Sequence, residues 1–172
     1  MPQANPIPPG YRFYRTQIEA VATQYGVDPV LIAAVCWQES AFNTDAFRFE
    51  PKFHSRYLKH KPEWRDHNPR RVSSSYSLMQ VMAVVATEDG TLMANEEPEV
   101  LFLPERGLRA GCVRLAKLKA WAAKLPLDPA NRELAMLAAY NGGRGGNNKP
   151  PFRNGKYAHE VLAKLALLKT HT

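Results

Sequence analysis

Apolar residues recur at steps of three and four along most of this chain, and that spacing predicts helices. Phe13/Tyr14, Ile18, Val21/Ala22 and Tyr25 mark a helix over residues 11–25, with Gly26 as its stop signal. Asp28 followed by Pro29 starts a second one: a side-chain oxygen caps free N–H groups, and a residue without an N–H opens the first turn. In that helix Leu31, Ile32, Val35 and Cys36 define one buried face, and Glu39 follows on much the same face, so a carboxylate is carried toward the core. Leu108, Gly111/Cys112, Leu115, Leu118 and Ala122 predict the longest helix, over residues 107–125, with Arg109, Arg114, Lys117, Lys119 and Lys124 on its polar face. Shorter helices are expected over residues 133–141 and, from Val161/Leu162, Leu165 and Leu168, over residues 157–168.

The intervening stretches read differently. Residues 1–10, rich in proline, form an expected extended N-terminal arm. Asn43, Thr44, Asp45 and Pro51 predict a structured loop, pinned to the core by Phe42, Phe47 and Phe49. Residues 53–61 predict a short helix bounded by Pro62, and the polar run after it an exposed excursion. The apolar run Leu78–Ala86 is ambiguous between strand and helix. Gly111 on an apolar helix face costs about 1 kcal/mol of propensity against Ala, which points to a close approach by another backbone. The four glycines within residues 142–146 predict a flexible or specially bent loop. The sum is a mainly α domain with at most a small irregular β region around residues 72–82.

Composition narrows the class. A chain of 172 residues fits one domain, here residues 11–172 after the arm, and can bury a core without disulfides or metals. With 45% hydrophobic and 23% charged residues, neither disorder nor membrane residence is indicated. The net charge of +7 favours an anionic partner. Its basic residues are scattered, however, which speaks against nucleic acid. Cys36 and Cys112 read as buried free thiols, with a bridge between them left open. The N-terminus lacks the basic and apolar regions of a secretory signal, so the chain is expected to be made in the cytoplasm. The histidines, at 54, 60, 67, 159 and 171, show no ligand spacing, so no metal and no cofactor is expected.

Glu39 is the candidate for chemistry. Burial without a cationic partner raises a carboxyl pKa, and such a group can act as a general acid near neutral pH. Four ordered fragments then carry a resemblance: Glu39-Ser40 at a helix end, Ser77-Leu78-Met79-Gln80, Gly107-Leu108-Arg109-Ala110-Gly111, and Ala139-Tyr140-Asn141-Gly142-Gly143. Together they resemble the Glu-Ser, Gly-Leu-Met-Gln, Asn-x-x-x-Gly and Ala-Tyr-Asn-x-Gly patterns of the lytic transglycosylases. That family belongs to the goose-lysozyme-like superfamily and cuts bacterial peptidoglycan. The resemblance spans nearly the whole chain and implies a lysozyme-like (goose-type/SLT) fold.

It also implies a mechanism and a site. Glu39 would protonate the oxygen between N-acetylmuramic acid and N-acetylglucosamine, then as a carboxylate accept the proton of the muramoyl 6-hydroxyl as a 1,6-anhydro ring closes. Met79 and Gln80 resemble residues that contact the sugar, Tyr140 a hydroxyl near the catalytic Glu, Asn141 a donor to an N-acetyl group, and Tyr157 a second groove hydroxyl. Ser40 and Ser75 are expected to hold Glu39 or substrate, while Met79 as core filler and Ser40 as a cap are the plain structural alternatives. Glu50 is the best second carboxylate, unless Arg48 and Glu50 form only a surface ion pair.

Two departures stand out: Ser77 replaces glycine and Gly107 replaces asparagine. Ser at 77 matters only if that backbone needs positive φ, where a side chain costs about 1 kcal/mol. Residues 47–71 resemble an insertion of phage-type relatives and are expected to wall or lid the groove. The implied partner is the peptidoglycan glycan strand, acted on by a monomer without membrane insertion. A water-using goose-type lysozyme and a non-catalytic wall-binding virion module are the alternatives. Holin release, virion carriage and secretion-system delivery fit the chain equally.

Overall fold

The structure, a computed structural model, describes residues 7–171. Most of the expected arm lies outside that range, and its last residues are not extended: helix α1 (Pro9–Tyr25) already includes Pro9 and Gly10. Proline at the first helical position loses nothing by lacking an N–H and brings a helical φ, which explains the earlier start. Helix α2 (Pro29–Ser40) begins as the sequence predicts, with the Asp28 carboxylate accepting from Val30 N at 2.8 Å.

The chain then forms a three-stranded antiparallel sheet in the order β1 (Phe47–Phe49), β2 (Ser74–Tyr76), β3 (Val81–Met82). Arg48 pairs with Ser75, which in turn faces Met82. Between β1 and β2 lie the single turn α3 (Pro51–Phe53), a π-helical turn (His54–Leu58) and α4 (Pro69–Val72). The short helix predicted over residues 53–61 is therefore mostly π-helical and ends sooner. The ambiguous run Leu78–Ala86 is split: a tight turn, then β3, then α5 (Ala83–Glu88). After a 3-10 turn (Pro98–Phe102) come α6 (Pro104–Ala122), α7 (Pro129–Gly142) and α8 (Gly155–Lys169). Proline opens both α6 and α7 ahead of the predicted starts, for the reason given for α1.

Helix α2 is central. Every residue from Leu31 to Cys36 is buried, so the expectation of a single buried face is corrected. An unbroken apolar run leaves no polar face to turn outward, and α1 and α8 both pack against it. Cys36 and Cys112 are buried and unbridged. Of the three phenylalanines expected to anchor the loop, Phe42 is buried, while Phe47 is exposed and stacks at the sheet edge against Tyr76 and Phe102.

Gly111 works differently from the expectation. A Cβ there would fall 2.3 Å from Met79 Sδ, so the glycine makes room for a side chain rather than for a second backbone. Leu58, Trp64, Val72 and Val84 form a second, smaller core beneath the segment between β1 and β2. Trp64 thus corrects the picture of a wholly exposed excursion. Among the described residues no helix is long and apolar enough to cross a membrane.

Candidate active site

The end of α2 sets the position of Glu39. Ala41 and Phe42 take left-handed conformations, with φ of 50° and 65°, and their N–H groups return to Trp37 O and Cys36 O. Phe42 pays for this strain by filling a buried site against Tyr11. The last turn is therefore held, and Glu39 projects half-buried into a cleft of about 680 Å³.

Four influences act on its carboxyl. Burial raises the pKa and prevails; the hydrogen bond from Tyr157 and the more distant charge of Arg48 pull it down without reversing the shift. The negative end of the α2 dipole acts in the same direction as burial. Among the described residues no cation lies within ion-pair distance of Glu39. Tyr157 Oη donates to Glu39 Oε1 at 2.6 Å. That tyrosine arrives on the first turn of α8, which is tied to α2 by Gln38: Gln38 Nε2 donates to Glu160 at 2.9 Å, and Lys164 Nζ donates to Gln38 Oε1 at 2.7 Å.

Tyr140 lines the same cleft, but its hydroxyl donates to Met79 O at 2.8 Å. The direct partner of Glu39 is thus Tyr157, the residue expected to be the second hydroxyl. Ser40 Oγ donates to Leu78 O at 2.8 Å and to Cys36 O, binding α2 to the turn before β3. Gln80 lines the cleft while its amide donates to Ala46 O and Ser77 O. Met79 itself is fully buried against Gly111 and does not line the cleft. Its expected sugar contact is corrected to core packing, because the notch at Gly111 takes the side chain inward and leaves only its carbonyl to Tyr140.

Asn141 lines the cleft, with Oδ1 accepting from Asn154 Nδ2 at 2.8 Å. The glycine-rich loop behind it is bent by Asn147, whose buried amide donates to Gly143 O and Ala138 O and accepts from Asn154 N. Ser75 and Glu50 also line the cleft, and Glu50 is paired with Arg48 Nε at 3.0 Å. The structure therefore brings Glu39, Gln80, Tyr140, Asn141, Tyr157, Ser75 and Glu50 to one place. Gln38, Asn147 and Asn154 escaped the sequence reading. The only local signals were a polar residue beside Glu39 and asparagines flanking the glycines. Among the described residues no group of three or more His, Cys, Asp or Glu could hold a metal.

The profile of transglycosylase SLT domains matches residues 16–162. The chain belongs to that family. This SLT domain is 29% identical over 136 residues to membrane-bound lytic murein transglycosylase C of Sodalis glossinidius (strain morsitans), covering 77% of the chain and 32% of the relative. Its fold is similar to the 70 kDa soluble lytic transglycosylase SLT70 of Escherichia coli, with a TM-score of 0.62 and 19% identity over 92% of this chain and 24% of that one. It also matches an inactive Glu-to-Gln mutant of lytic transglycosylase Slt from Pseudomonas aeruginosa, with a TM-score of 0.64, 19% identity and the same coverages. The SLT domain thus spans about a third of the curated relative and a quarter of the solved chains. The motif resemblance in the sequence is borne out as family membership, and the mainly helical, SLT-type fold with its small sheet is as expected.

Proposed function

We propose that the protein is a peptidoglycan lytic transglycosylase that cleaves the bond between N-acetylmuramic acid and N-acetylglucosamine, with Glu39 as its single acid and base. The observation that carries this reading is a half-buried carboxyl with a raised pKa, unpaired with any described cation, hydrogen-bonded by Tyr157 and opening into the cleft. A protonated Glu39 donates to the departing glycosidic oxygen, and the substrate's N-acetyl group assists at C1. The resulting carboxylate, steadied by the Tyr157 hydroxyl, takes the proton of the muramoyl 6-hydroxyl as O6 bonds to C1. One C–O bond breaks, one forms, and no water is consumed. An acid that becomes a base within a turnover needs a pKa near working pH, which burial supports.

A water-consuming muramidase is the second reading, because Glu50 lines the same cleft and glycoside hydrolysis ordinarily uses two carboxylates. Digested peptidoglycan decides between them by mass spectrometry: 1,6-anhydro-muropeptides support the first, reducing ends the second. Glu39→Gln should lower wall clearing by about 10²–10⁴-fold with the circular dichroism spectrum unchanged. Activity retained in that variant would remove Glu39 from its role.

A further inference from the structure

The wall of the cleft between β1 and β2 carries a feature that acid–base chemistry does not use. Phe53 and Tyr57 both line the cleft, and Tyr57 is 52% exposed, a large ring left in water inside a concavity. Their rings are 5.0 Å apart and inclined at 52°. They stand four residues apart on the turn containing the π-helix His54–Leu58, which is closed by Lys59 N donating to His54 O at 2.9 Å. The neighbouring positions His54 and Leu58 point inward. Leu58 enters the small core with Trp64, Val72 and Val84, and His54 Nε2 lies 3.3 Å from Trp64 O. A π-turn is rare and recurs at functional sites. Here its wide spacing holds Tyr57 outward and Phe53 half-buried against the small core at the cleft edge, while two anchors go down.

We propose that Phe53 and Tyr57 form a stacking subsite for a pyranose ring of the glycan strand, one that grips the strand apart from the acid–base chemistry at Glu39. The inference rests on the glycan-cleaving reading and names a grip that reading lacks. A pyranose presents a face of polarised C–H groups, and the electron-rich face of an aromatic ring is complementary to it. Two cations that line the cleft are already paired, Lys61 with Glu88 at 3.3 Å and Arg48 with Glu50 at 3.0 Å, which leaves contact with a sugar face to the rings. Arg56, 5.9 Å from the Tyr57 ring centroid, leaves half of that side chain open. A cleft of about 680 Å³ lies well within the range of about 300–1,000 Å³ seen for ligand sites and holds more than the ring being cut.

The test uses glycan strands stripped of stem peptides by an amidase and fractionated by length. For Tyr57→Ala, the ratio of kcat/KM on long strands to that on the shortest cleavable strands should fall about 3–10-fold, the range of one aromatic contact, through KM rather than kcat. Tyr57→Phe should restore the ratio, because the phenol hydroxyl plays no part in stacking. A ratio unchanged in Tyr57→Ala, or a loss confined to strands that still carry stem peptides, would overturn the proposal. Affinity of the stripped strands, measured by calorimetry on Glu39→Gln and on Glu39→Gln/Tyr57→Ala, keeps the two readings separate. Equal affinities overturn the subsite. Weaker binding by the double variant alongside a wild type that cuts nothing overturns the glycan-cleaving reading alone.

Discussion

Ser77 sits at φ 63° with its side chain fully buried and its hydroxyl unpartnered, three features that each cost stability. What it gains is visible across the contact. A Cβ on Gly107 would lie 2.9 Å from Ser77 Oγ and 3.1 Å from Ser77 Cβ, and also 2.9 Å from Leu101 O, so the side chain at 77 occupies part of the room that one at 107 would need. The two departures from the family pattern, a lost glycine and a gained one, are therefore one reciprocal exchange in space. Ser77→Gly should stabilise the protein by about 1 kcal/mol by relieving the left-handed strain. Gly107→Ala should destabilise it by about 1–3 kcal/mol through overpacking, and Ser77→Gly should recover only part of that loss, because the new Cβ would still meet Leu101 O at 2.9 Å. Chemical denaturation of the two single variants and the double variant measures that coupling. The sequence exposed both substitutions but not their link, because thirty positions of chain separate residues that only the fold makes neighbours.

At the level of the element, α8 works as a carrier. It packs along α2, and the Gln38 links to Glu160 and Lys164 set where its first turn meets the end of α2. Tyr157 consequently reaches Glu39 at 2.6 Å. That hydrogen bond favours the carboxylate and so opposes the upward pull of burial on its pKa. Tyr157→Phe removes the opposing influence. The Glu39 pKa should then rise further, and the alkaline limb of the kcat/KM profile, where the acid form is lost, should move to higher pH. An unmoved limb would mean that another group governs the profile. The start of α2 was legible in Asp28 and Pro29 because caps are local. The Gln38 links were not, since both partners lie more than a hundred residues downstream. Likewise, Leu78–Ala86 resisted assignment because a strand, a turn and a helix share one short apolar run.

Over the whole molecule, burial is divided unequally. Most of the apolar interior forms one cluster around α2, whereas Leu58, Trp64, Val72 and Val84 make a small second one under the cleft wall. Few buried contacts mean a low local opening free energy, so the two regions need not unfold together. In native-state hydrogen exchange, amides of residues 54–65 should exchange through openings of much lower free energy than those of residues 31–36, which should follow global unfolding. The proposed gripping surface and the proposed proton donor would then belong to different cooperative units. Heat or mild denaturant would first cost the protein its hold on long polymers, while the reactive carboxyl stayed in register behind it.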